Sequence, residues 1–344
     1  MVKNFSRRKT WLAGCLAVML GMSLLLGLWK RPSRPAYAVL DLGLPDDKDC
    51  TVSGINATGL IIGMITNHSQ HACVYQHGAL HLLEEPKGIG SIAHSLNTRR
   101  QVVGALYFDA AHQHAVLWQK GKMTDLGTLG GKSSAAFAIN DQGDIVGFTE
   151  INEKKVHAFL YRAGQMQDLG TLGGGRSEAR GINNVEQIVG LARIDLGHQH
   201  AFFWQNGMMT DLGTLGGNNS VAFAINDQGA VVGTADTAEG DSHAFLYQAG
   251  KMQDLGTLPG GKESLALALN NRGQIVGRTE IEVYHRSGPH AWLYEDGSLQ
   301  DLNALIPQDS GWELVEARAI NDRGQIIGMG MVRGQLRAFL LEPR

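Results

Sequence analysis

From residue 39 onwards the apolar positions come in short runs, alternating with polar residues or dense in Val, Ile and Phe, and each run stops at Gly, Asn or Asp. No window holds helical spacing long enough to compete with strands. Within one stretch the pattern predicts strands at 220–226, 230–235, 243–248 and 251–255. Asn-Asp-Gln-Gly at 226–229 and Gln-Ala-Gly-Lys at 248–251 supply the joints, with residues that tolerate the positive φ of tight hairpins.

The pattern repeats. Seven times an Asn is followed seven residues later by a Gly: Asn56 and Gly63, Asn97 and Gly104, Asn140 and Gly147, Asn183 and Gly190, Asn226 and Gly233, Asn270 and Gly277, Asn321 and Gly328. A His keeps the same phase at 71, 114, 157, 200, 243 and 290, and Arg337 takes the seventh place. The step is 43 residues, stretching to 47 at the end. Units of ~40 to 50 residues cannot bury their own apolar faces and must stack on copies of themselves, and four antiparallel strands at this length match a propeller blade.

The chain enters the repeat late, at Val39-Leu-Asp41, and leaves it early, at Arg337-Ala-Phe339. The two fragments complete one unit, which removes the sheet edges an open stack would have to cap. We therefore expect an all-β, seven-bladed β-propeller over residues 39–344, built from ~43-residue four-stranded repeats and closed by pairing of N- and C-terminal strands. The inner strand is expected to be Ser-x-Ala-x-Ala-Ile-Asn, small enough for a crowded centre.

The triplets His157-Ala-Phe159, His200-Ala-Phe202 and His243-Ala-Phe245, with their downstream Asp-Leu-Gly and Ile-Asn…Ile-Val-Gly, resemble the HAF-repeat family of bacterial extracellular proteins. The resemblance spans roughly residues 39–342. It implies an exported repeat protein and brings no established activity. Departures gather near the closure: Leu-Leu-Glu at 82–84 where Asp-Leu-Gly is expected, Ala-Cys after His71, and an irregular stretch from Asn303 to Trp312.

Residues 1–38 carry seven basic and no acidic side chains around an apolar run at 11–29. A basic start, an apolar core and Ala36-Tyr-Ala38 describe a signal peptide; the run is also long enough for an N-terminal membrane anchor. Both readings stand, and either sends the repeats to the periplasm, the cell surface or the medium. The remaining body has 23 basic and 33 acidic residues, which argues against a nucleic-acid partner. We expect a monomer, with membrane contact only through the N-terminal segment if it is uncleaved. Of three cysteines, Cys50 and Cys73 fall in the body; with the strand order assigned here they lie on the first and third strands of one sheet, ~9 to 10 Å apart and beyond disulfide reach, while another strand order would leave pairing open.

Three polar positions recur: His114, Asp125 and Ser134, then His157, Asp168 and Ser177, His200, Asp211 and Ser220, His243, Asp254 and Ser264. They read as a buried hydrogen-bond network within each blade, because equivalent His residues on neighbouring sheets lie more than ~10 Å apart and cannot share a metal. No metal or cofactor is expected. The Gly-Thr-Leu-Gly-Gly loops precede strands and read as turns, since a phosphate cradle needs a helix behind it. His112-Gln-His114 and His198-Gln-His200 lack a third ligand for a metal.

Function is expected at the rim, on the variable loops joining second to third strands, including 108–113 and 280–289. Tyr107, Tyr284, His285, Arg286 and Trp312 are the candidate binding residues, with Trp312 equally suited to the core. Two functions remain open. One is a non-catalytic scaffold binding a protein or glycan. The other is a hydrolase or lyase at the mouth of the central channel, against which stands the likeness of the repeats, since catalysis needs unlike groups in one pocket.

Overall fold

The computed structural model describes residues 36–43, 49–76, 78–85, 88–195, 197–283 and 286–344. Residues 1–35 of the segment expected at 1–38 to be a signal peptide or anchor, together with Tyr284 and His285, lie outside the described residues. Among the described residues no helix is long and apolar enough to cross a membrane.

Strands form where the alternation predicts them. The fifth unit places them at Gly216–Ile225, Val231–Thr237, Ser242–Gln248 and Lys251–Gly256. Its last hairpin turns on Ala249 and Gly250, both at positive φ. Seven such four-stranded antiparallel sheets arise: 49–82, 90–127, 134–168, 177–211, 216–256, 261–301, and 312–343 completed by 37–41. We number these blades 1 to 7. The first strands of neighbouring blades touch one another, so they line the axis of a seven-bladed β-propeller.

Blade 7 is the closure. Its outer strand is the N-terminal Tyr37–Asp41, paired antiparallel with the C-terminal Gln335–Pro343 from Tyr37 opposite Pro343 to Asp41 opposite Phe339. Arg344 donates its backbone N–H to the Ala36 carbonyl at 2.9 Å. Arg337 meets Asp41 at 3.0 Å, filling the place that a His and an Asp take in other blades.

The core lies between sheets. Phe159, Phe202, Phe245, Trp292 and Phe339 occupy one equivalent third-strand position and are completely buried. Around Phe202, for example, Val146, Ala158 and Leu160 of blade 3 pack on Ala179, Ile188 and Trp204 of blade 4. Cys50 and Cys73 sit with Ile65 in a small apolar cluster and are not joined to each other. Burial pushes the Cys73 thiol up to about 12, with Cys50 a further contribution.

Every blade has a β-bulge in its first strand, three residues before the repeated Asn. The pairing register steps between Ala136 and Ala138 in blade 3, between Ala179 and Gly181 in blade 4, and at the matching place in the other five. The extra residue bends the strand toward its partner. The repeated Gly answers this bend. A Cβ on Gly190 would overlap the Glu178 carbonyl oxygen, and the same overlap recurs at all seven glycines. The Asn-to-Gly spacing of the sequence is thus the signature of a bulge facing a position that excludes side chains.

This predicts that Gly190→Ala destabilises by more than about 2 kcal/mol, in the range of overpacked cores. Gly288→Ala, where a Cβ meets open space, stays within about 0.5 kcal/mol of the parent. Denaturant unfolding of the two variants checks both values.

Candidate functional site

The recurrent His and Asp meet within each blade. Nδ1 of His114, His157, His200, His243 and His290 lies 2.8 to 3.0 Å from Asp125, Asp168, Asp211, Asp254 and Asp301. The Asp also accepts the N–H two residues on, from a Gly in four blades, as Gly170 to Asp168 at 2.8 Å, and from Asn303 at Asp301, and so fixes the turn after the fourth strand. Blade 1 lacks the Asp, and Glu85 takes its role opposite His71 at 2.9 Å.

The pairs are half-buried, not buried as expected, because the fourth strand that carries the Asp is the outermost. Nor does the Ser join its own blade's pair. Ser177, at the start of blade 4, accepts the Ala158 N–H of blade 3 at 2.8 Å and donates to the Gly170 carbonyl at 2.5 Å. Ser134, Ser220 and Ser264 do the same one blade on. These hydroxyls join neighbouring blades. His112 and His198 pair with Asp109 and Asp195, and those imidazoles hold the two exposed carboxyls down at about 2.

At the opposite end of the first strands, the seven repeated Asn side chains form a closed circle. Each donates its Nδ2–H to the carbonyl of the next blade's Asn: Asn56 to Asn97, and so on through Asn140, Asn183, Asn226, Asn270 and Asn321, at 2.9 to 3.2 Å. Asn321 then donates to the Asn56 carbonyl at 3.0 Å and shuts the ring. Each Oδ1 meanwhile accepts backbone N–H groups of its own following turn, as Asn226 does from Gln228 and Ala230. One residue outward, Asp141, Asp227 and Asp322 form a partial second circle. Their carboxylates accept the main-chain N–H of Thr98, Asn184 and Asn271 in the preceding blades.

Inward from the circle come Ile and Leu side chains, and then the seven bulged residues: Ser53, His94, Phe137, Arg180, Phe223, Leu267 and Arg318. They line a cavity of about 350 Å³ together with Val52 and Glu316. This corrects the expectation of a channel walled by small, like residues. The repeated Ala residues face the sheets, and the bulge presents the variable residue between them to the axis. Burial, then the charge of Arg180, pushes His94 down to about 4.

The irregular stretch after blade 6 makes a second concavity. A 3₁₀ turn at Leu302–Ala304 is capped by Asp301, and Asn303 bonds the Leu314 backbone in both directions. The groove beyond it measures about 510 Å³ and is lined by His290, Asn303, Pro307, Trp312, Glu313 and Arg333, among others. Trp312 serves both roles, lining the groove while its ring packs edge-on against Phe339 at 6.1 Å.

Tyr107 ends the second strand of blade 2, two blades from this groove, where burial raises its phenol. Arg286 opens the third strand of blade 6 opposite Val283. The expected loop at 280–289 is for the most part the tip of that extended ribbon, whose alternating apolar residues prolong the pairing. Of the five candidates, then, Trp312 alone lines the groove among the described residues.

Residues 216–339 match a family described as "Protein of unknown function (DUF3466)". No curated protein matches the chain. Among solved structures it is similar to the β-propeller domain of the Trilobed protease from Pyrococcus furiosus, described as having an open velcro topology. That likeness has a TM-score of 0.59 and 9% identity over 86% of this chain and 94% of that one. It is also similar to a puromycin-hydrolyzing peptidase of Mycobacterium tuberculosis, with a TM-score of 0.57 and 12% identity over 85% of this chain. The chain spans about half of that peptidase, 52% of its length. At these identities the likeness is one of fold: the protein is a repeat-built β-propeller.

Asn226→Ala removes one of two hydrogen bonds to the Asn270 carbonyl, which the Gly273 N–H still reaches, and leaves the turn N–H groups of Gln228 and Ala230 without their acceptor. Each such buried group costs about 1–3 kcal/mol, so a loss of at least about 2 kcal/mol is expected by denaturant unfolding. His157→Ala, which frees a half-exposed pair, is expected to lose under about 1 kcal/mol.

Proposed function

We propose that the chain is an exported, non-catalytic binding propeller of the HAF-repeat type that holds a glycan in the groove between blades 6 and 7. The observation that carries this reading is the groove itself. It lies where the repeat departs most from its own pattern, and it sets the Trp312 ring beside planar polar side chains, Asn303, Glu313 and Arg333. An apolar surface with a few fixed donors and acceptors suits a sugar, whose ring has apolar faces and a hydroxyl edge. The basic, apolar N-terminal segment supports a role outside the cytoplasm, tethered or released.

The repeated His, Asp and Ser residues serve the framework in this reading. The alternative, a hydrolase or lyase at the channel mouth, would draw on Asp141, Asp227 and Asp322. Their commitment to main-chain N–H groups supports binding over catalysis.

On a glycan array, the full-length chain is expected to retain a defined subset of sugars. Glu313→Gln and Arg333→Ala, both exposed, are expected to weaken capture about tenfold, the effect of losing roughly 1.4 kcal/mol. Undiminished capture by both variants would refute the groove as the site. Retention of a protein, with no sugar held, would overturn the glycan assignment.

A further inference from the structure

The bulged position is where one blade differs most from the next in chemistry. None of its seven residues belongs to a repeated motif of the frame, yet the fold brings all seven around one cavity on the axis. Two are arginines, and their charge is incompletely answered. Arg180 gives one Nη2 hydrogen bond to Glu178 at 2.7 Å, and Glu178 is itself shared with Arg176 at 2.5 Å. The Arg180 Nε is buried with no hydrogen-bond partner in the protein. Arg318 meets Glu316 at 3.3 Å and the Val52 carbonyl at 3.1 Å, while Arg278 faces the other Glu316 oxygen at 3.8 Å and Glu280 at 3.7 Å. The two clusters therefore hold four guanidinium groups against three carboxylates.

The Nε itself is closed to a ligand, but about a third of the Arg180 side chain is exposed, and a carboxylate is the group whose geometry the accessible guanidinium N–H groups fit. The walls define the rest of the ligand. The Arg180 guanidinium lies 4.8 Å above the Phe137 ring, His94 meets that ring edge-on at 5.2 Å, and Phe223 lines the same space. Its volume of about 350 Å³ admits a single small molecule.

We propose that the axial cavity binds a small aromatic carboxylate, its carboxyl group received by Arg180 and Arg318 and its ring set among Phe137 and Phe223. The site is independent of the groove on the rim. The ligand is held and released unchanged.

Benzoate is the probe and benzamide its uncharged counterpart, each titrated into the full-length protein while the His94 imidazole is followed by NMR. Benzoate is expected to shift that resonance saturably and to raise the His94 pKa, since a neighbouring anion favours the charged imidazole. Benzamide is expected to bind at least about tenfold more weakly, as is benzoate to Arg180→Gln, each a difference of about 1.4 kcal/mol. Arg180→Lys keeps the charge beside Glu178 but lacks the planar fork of donors, and its folded spectrum with weakened benzoate binding separates recognition from folding. The proposal is overturned if millimolar benzoate produces no saturable shift, if benzamide binds equally, or if Arg180→Lys binds as the parent does. None of these outcomes depends on whether the rim groove holds a sugar.

Discussion

The structure depends on one circular set of hydrogen bonds. Seven Asn side chains each bond the next blade's backbone in one direction and their own turn in the other, so every blade is registered to two neighbours at the axis. A buried carboxamide left unpaired is unfavourable, and the circle leaves none of the seven without a partner. Since the bond from Asn321 to Asn56 joins the last first-strand to the first, closure comes from the same contact that sets blade spacing everywhere else. The bulge that places each Asn also explains the paired Gly, whose missing Cβ lets the first strand bend against the second.

Much of this was legible in the sequence. Strand number, blade number and the zipped termini follow from a period, a turn vocabulary and two incomplete repeats that complete each other. The role of Asn56 and its equivalents was not, although their recurrence was the most visible feature of the chain. A side chain that bonds the adjacent blade leaves the same imprint as one that bonds its own turn, and only coordinates separate the two. The channel lining was missed for a different reason. Alternation places Phe137 or Arg180 on a face of the strand, but a bulge adds a residue and changes which side chain meets the axis. A usable signal existed: between near-constant Ala or Gly neighbours, the position three before each Asn changes chemistry from blade to blade.

The molecule accordingly divides into a frame and two places where the frame lets variation in. The frame uses His–Asp pairs at the outer strands, Ser hydroxyls between blades, and aromatic third-strand residues between sheets. Variation enters at the blade 6–7 groove, where the repeat spacing lengthens, and at the axis, where the bulge exposes one residue per blade. The likeness of the repeats argues against a converging site only for positions that belong to the frame. At the axis, unlike groups do converge, with His94 kept neutral by burial and by Arg180.

The most direct test is side-chain amide hydrogen exchange by NMR, read separately for the seven repeated Asn residues. A shut circle predicts seven slowly exchanging carboxamides, with Asn321, which spans the chain termini, protected as strongly as Asn183 in the middle of the repeat. Protection of the other six with fast exchange at Asn321 would mean an open ring, and would contradict the account.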